Sequence, residues 1–163
     1  MARTADPEIP KDEALFRGVK PEWVTPEGDV TIYAVDLPAS SFNRAKYSDA
    51  KAVLKPERPE HTSIVCARCV DLPPPVPRAD AAPHECFGAD DPCPKEDPEN
   101  EAHAEVRVRR LGSAYAPNYK VPSSSKLKVK EALAKMMRPH VDPIHAPCAC
   151  TGSSASEPAS PPA

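Results

Sequence analysis

Apolar and polar positions along this chain follow two different periods. VTIYAVDL (30–37) alternates and is rich in β-branched residues, so it reads as a strand with one buried face. SIVCARCVDL (63–72) is a second expected strand, ended by the prolines at 73–75. EVRVRRL (105–111) is a third, with Val106 and Val108 on one face and Arg107 and Arg109 on the other. The period then changes. In SSSKLKVKEALAKMMRP (123–139), Val129, Ala132, Leu133, Met136 and Met137 recur at spacings of three and four, the apolar stripe of a helix. A serine among residues 123–125 is placed to cap its first turn, Lys135 and Arg138 suit its negative end, and Pro139 stops it. SDAKAVL (48–54) reads as a short helix capped by Ser48 or Asp49, and TPEGD (25–29) as a turn that follows the apolar anchor Trp23.

These elements predict a single α+β domain over residues 13–140. It consists of a small β-sheet, a short helix near 49–54 and the C-terminal amphipathic helix packed on one sheet face. Residues 1–12 read as a flexible arm. Residues 141–163, which run into CACTGSSASEPASPPA, are too poor in large apolar groups to offset their ordering entropy and read as a disordered tail. The length of 163 residues suits one core, and 23 prolines against 5 glycines imply rigid, proline-set loops. No run of about 18 apolar residues is present, and MARTADPEIPKDEALF lacks the apolar centre of a secretory signal. The expectation is therefore a cytoplasmic protein, with no membrane contact and its cysteines reduced.

Charge divides sharply along the chain. Residues 71–103 carry nine acids and two bases, a net of −7, whereas residues 104–140 carry nine bases and two acids, a net of +7. Neighbouring segments of opposite sign are expected to neutralise one another. The alternative is a nucleic-acid surface built from Arg107, Arg109, Arg110, Lys126, Lys128 and Lys130, with Tyr115 and Tyr119 stacking on bases.

Residues 64–93 hold four of the six cysteines and suggest metal chemistry more than any other stretch. Cys66 and Cys69 have a CxxC spacing, and Cys86 and Cys93, with His84 nearby, could complete a zinc set. Zinc is thus the cofactor alternative to none. Against it, SIV and VDL flank the first pair with no glycine between, which favours extended chain. Residues three apart on a strand point to opposite faces, so the reading favoured here is small hydrophobic thiols on extended backbone, with a thiol-redox or disulfide role as a further alternative. Cys148 and Cys150 near the C-terminus could chelate independently. No GxSxG, phosphate-binding glycine loop or HExxH helix occurs, and no catalytic residue is assigned.

In DPENEAHAEVRV (97–108), Asp97, Asn100 and His103 read as turn residues, with His103 hydrogen-bonded to fix the loop; the alternative is a small polar cluster beside Arg107. Together, LFRGVKPEWV, SFNRAKYSDAKAVL, DPENEAHAEV and SSSKLKVKEALAK resemble small bacterial proteins of unestablished function. Those share an LYR-type opening, an S-x-N/D-R-x-x-Y stretch, an N-x-A-H segment and a lysine-rich last helix. The likeness covers about residues 15–137, and the cysteine-rich loop looks like an insertion in it. The resemblance implies no catalytic residue, but it marks Arg17, Asn43, Arg44, Tyr47, Asn100 and His103 as a shared polar site. The expected function is a non-enzymatic accessory protein that binds a protein partner. A minor alternative is an ADP-ribosyltransferase-like enzyme, in which Arg17 holds a phosphate near Ser40 and Ser41.

Overall fold

A computed structural model describes residues 3–93 and 100–140. Six strands form one antiparallel sheet: β1 (Ala14–Val19), β2 (Ala39–Arg44), β3 (Ser63–Arg68), β4 (His84–Asp90), β5 (His103–Arg110) and β6 (Arg138–Pro139). Their spatial order is β4-β5-β2-β1-β3-β6, and one helix, α1 (Ser123–Met136), completes an α+β domain. Among the described residues, no helix is long and apolar enough to cross a membrane.

Cross-strand register sorts the side chains. Leu15 pairs with Arg44 and Ala67, Phe42 with Ala104, and Cys86 with Val108. These residues share one face with Val19, Val65 and Val106, and α1 adds Val129, Leu133, Met136 and Met137 to the same core. The helical stripe read from the sequence is thus the buried one, with Ala132 partly buried at its margin. Arg138 acts at the expected end, donating from Nη1 to the carbonyls of Lys135 (2.6 Å) and Met137 (3.1 Å). The expected serine cap does not form. Pro122 is the N-cap, with no side-chain bond, and its carbonyl accepts from the Ser125 and Lys126 amides.

The opposite face is divided between an apolar and a polar half. Ala14, Phe16 and Cys66 make a second, small cluster on β1 and β3, covered by Ala50 and Val53. The short helix expected at 49–54 is a 3-10 turn, Ala50–Val53, capped by Asp49, whose Oδ1 accepts from the Ala52 amide at 3.1 Å. Gly18 permits this close approach, since a Cβ there would stand 2.7 Å from the Val53 carbonyl oxygen.

Several elements differ from their sequence reading. VTIYAVDL is not a strand: Val30 only bridges Val24, and Ile32–Ala34 is a 3-10 turn. The Ala34 and Val35 amides donate back to Thr31 and Ile32, while the Ala34 carbonyl accepts from Arg17, so those groups are satisfied without a ladder partner. The strand read at 63–72 ends at Arg68, followed by a 3-10 turn at Cys69–Asp71. β1, β2 and β4 were not anticipated. Residues 1–12 were read as a loose arm, yet Ile9 is buried in the core and Arg3 and Asp6 bond to side chains of the sheet. The expected tail, 141–163, lies outside the described residues.

Candidate functional site

A cleft of about 1110 Å³ opens on the polar half of the sheet. Phe16 and Gly18 of β1, Ser41 and Asn43 of β2, and His103 of β5 line its floor, and residues 52–58 with His61 line one side. Alternation explains the polarity. Asn43 and His103 are directly paired on this face, whereas the next pair, Phe42 and Ala104, lies in the core. Asn100 donates through Nδ2 to Asn43 Oδ1 at 2.9 Å, joining the segment before β5 to the floor. His61 is held against Trp23 edge to face, with ring centroids 5.2 Å apart.

Of the six residues marked as a shared polar site, Arg17, Asn43, Tyr47, Asn100 and His103 line this cleft. Arg44 does not: it lies on the core face, fully buried, bonded to Glu13 (2.6 Å) and Asp6 (2.7 Å) and 3.1 Å from Asp90. Arg17 is already engaged. It donates to the Ala34 carbonyl (2.9 Å), the Ser41 carbonyl (3.0 Å) and Asp36 Oδ2 (2.7 Å). The Ser40 hydroxyl accepts from the Asp36 amide and donates to its carbonyl, both at 2.9 Å. Arg17 and Ser40 therefore clamp the 34–41 loop, which leaves the ADP-ribosyltransferase-like arrangement without its phosphate-holding arginine. Tyr47 joins the cleft to the buried charges. Its hydroxyl donates to Asp6 at 2.9 Å, and its ring packs beneath Arg3 at 3.9 Å.

At one end of the polar face, Asp91, Cys93 and His103 bring their ligating atoms within 4.8 Å of one another. His103 Nδ1 lies 2.7 Å from the Asp91 carbonyl oxygen, 3.1 Å from Cys93 Sγ and 3.3 Å from Asp91 Oδ2. A carbonyl only accepts, so the shortest contact places the neutral ring's proton on Nδ1. The hairpin brings the three together. The Asp91 amide donates to the His103 carbonyl at 3.1 Å, and two residues on, Cys93 bridges Asn100 through both backbone groups. His103 was singled out in the sequence, but with Asn100 and Asp97 as companions; Asp97 lies outside the described residues. Asp91 was missed. The D-P-C spacing was its signal, because residues two apart in an extended chain share a side.

The zinc set read from Cys66, Cys69, Cys86 and Cys93 is not assembled. Cys66 belongs to the small cluster on the polar-face side of β3, while Cys69 and Cys86 pack in the main core. The two members of the CxxC thus sit on opposite sides of the sheet, Cys66 on β3 and Cys69 on the 3-10 turn that follows it. Cys66 is disulfide-bonded, the alternative reading for these cysteines and not the favoured one of reduced thiols. Burial pushes the Cys69 thiol up to about 11 and the Cys86 thiol up to about 12. Neither supplies a thiolate at neutral pH. Cys148 and Cys150 lie outside the described residues.

The basic surface is divided as well. Arg107 pairs with Glu105 (2.6 Å) and stacks on Tyr115 (4.6 Å), and Arg109 pairs with Glu85 (2.9 Å) and stacks on Phe87 (4.1 Å). Both project from the polar face of β5, whereas Lys126, Lys128 and Lys130 ride on α1 across the sheet. Arg110 sits over Tyr119 at 5.4 Å. The Arg109–Glu85 pair crosses the two oppositely charged segments, the neutralisation expected from the charge layout. Compared with protein-family models, curated proteins and solved structures, the chain finds no match.

Proposed function

We propose that this chain is a non-enzymatic accessory protein that holds an extended, polar segment of a protein partner in the cleft beside β2. The observation that carries this reading is the Asn43–Asn100 carboxamide pair. Their mutual bond uses one donor and one acceptor, leaving the Asn43 amide nitrogen and the Asn100 amide oxygen for a ligand. A peptide backbone offers the complementary carbonyl and amide, in the manner of other extended-peptide sites. The charges along the cleft include both signs, with Lys55 and Arg58 against Asp49, Glu57 and Glu101. That balance suits a peptide better than a polyanion, whose binding relies on an excess of cations.

A photo-cross-linking residue in place of Ser41, in the cleft, is compared with one in place of exposed Leu127 on α1. In a native lysate, Ser41 is expected to yield a discrete protein adduct that maps to one peptide, and Asn43→Leu to abolish it. Equal adducts from both positions, or an adduct with RNA, would overturn the proposal.

A further inference from the structure

We propose that Asp91, Cys93 and His103 form a three-ligand site for a divalent metal of the zinc type. The inference is independent of what occupies the cleft. Three properties of the cluster carry it: donor chemistry, spacing and charge.

Thiolate, imidazole and carboxylate together suit zinc and its borderline neighbours. Calcium and magnesium require an oxygen shell, and only one of these three side chains offers oxygen. Zinc bonds of about 2.3 Å to sulfur and 2.0–2.2 Å to nitrogen and oxygen give tetrahedral edges of roughly 3.4–3.6 Å. Cys93 Sγ and Asp91 Oδ2 already stand 3.1 and 3.3 Å from His103 Nδ1. An outward movement of a few tenths of an ångström brings these two edges to the metal-bound spacing, and the Asp91 carbonyl oxygen, 2.7 Å from Nδ1, turns away to admit the ion.

Binding follows a definite proton balance. The Cys93 thiol loses its proton to solvent as the S–metal bond forms. The imidazole proton moves from Nδ1 to Nε2 by solvent exchange, freeing the Nδ1 lone pair, and the 2.7 Å contact with the Asp91 carbonyl loses its hydrogen bond. Thiolate and carboxylate together neutralise the dication, which suits a site where His103 is buried and the other two are half-buried. Arg107 Nη2 lies 3.8 Å from Asp91 Oδ2, outside hydrogen-bond reach, and the same guanidinium is engaged through Nε by Glu105 at 2.6 Å.

The test uses the full chain, stripped of metal by a chelator under inert gas without reductant, so that the Cys66 disulfide survives. Zinc titration is expected to show one equivalent bound, with a heat that varies with the buffer's protonation enthalpy because a proton is released. Cobalt(II) in its place is expected to give a thiolate-to-metal charge-transfer band. Losing an outer partner of a metal site costs about 10–100-fold in affinity, so losing a ligand must cost at least tenfold. Cys93→Ser is therefore expected to abolish the cobalt band and weaken zinc at least tenfold. Asp91→Asn, which preserves size, keeps the band but weakens zinc to a similar degree, so it serves as the reading if Cys93→Ser does not fold. Absence of zinc uptake, a cobalt band that survives Cys93→Ser, or unchanged affinity in Asp91→Asn would each overturn the site.

Discussion

Arg44 and Asp90 lie 3.1 Å apart with neither side chain exposed, a charge pair sealed inside the packed face of the sheet. Asp90 is held from its other side by Arg3, whose Nη2 donates to Oδ1 at 2.8 Å, and by the Asp6 amide at 2.6 Å. Glu13 and Asp6 complete the ring around Arg44. Buried charges survive only when their hydrogen-bonding capacity is met, and here chain segments far apart in sequence meet it jointly.

Arg44→Met is accordingly expected to destabilise the fold by about 3–5 kcal/mol, because it leaves buried carboxylates without their central cation. Urea unfolding monitored by the fluorescence of Trp23 measures the change. Adding Asp90→Leu is expected to recover part of the loss, since an apolar pair avoids the desolvation that a lone carboxylate suffers. A loss below about 1 kcal/mol in Arg44→Met would contradict the described network.

Acid is expected to act in two stages. Burial, aided by the nearby cations Arg78 and Arg110, holds His84 below its ordinary value. His84 is thus neutral when folded but charged when unfolded below about pH 6.5, so its contribution is present above that pH and fades as pH falls. The second stage belongs to Asp6 and Asp90. Hydrogen bonds from Arg44 and then Tyr47 lower Asp6 to about 2. For Asp90, burial pushes upward, but the bonds from Arg3, the Asp6 amide and Arg44 outweigh it and leave the group depressed. The stability these carboxylates contribute is present above about pH 4, the unfolded carboxylate value, and is lost as pH falls toward 2. Urea midpoints measured from pH 8 to pH 2 should show both steps, and Arg44→Met should flatten the lower one.

Gly88 in β4 faces the thiol of Cys69, and a Cβ added there would stand 2.6 Å from its sulfur and 3.5 Å from Ile9 Cδ1. Gly88→Ala is expected to cost about 1–3 kcal/mol through overpacking. Cys69→Ala removes the obstructing sulfur, so Gly88→Ala made in that background should cost much less. A double-mutant cycle in thermal or urea unfolding tests this coupling, and additive costs would refute it. The contact also explains why β4 tolerates a residue without a side chain at its centre.

The sequence was legible where a single period governed a segment. The α1 stripe and the Val106/Val108 alternation each buried the side chains their spacing implied. β1 and β2 were obscured by buried polar residues: Arg17, Ser40 and Arg44 at core-face positions and Asn43 on the cleft face are all buried, and their partners lie on other elements. VTIYAVDL erred in the other direction, because its alternation serves a turn whose backbone is satisfied by local bonds and by Arg17. At the site, Asn43, Tyr47, Asn100 and His103 line one cleft, whereas Arg44, which follows Asn43, and Arg17, which alternates with Phe16, both point to the core face, although Arg17 still borders the cleft. The pairing of Cys93 and Asp91 with His103 depended on hairpin register, which spacing alone does not determine.

Each margin of the sheet is covered in part by a short piece of the same chain. At one margin, Val76 exchanges backbone bonds with His84 at the start of β4. At the other, β6 and the His140 amide engage β3 at Ile64, Val65 and Cys66. A strand from a second molecule would have to displace these segments to pair at the positions they occupy.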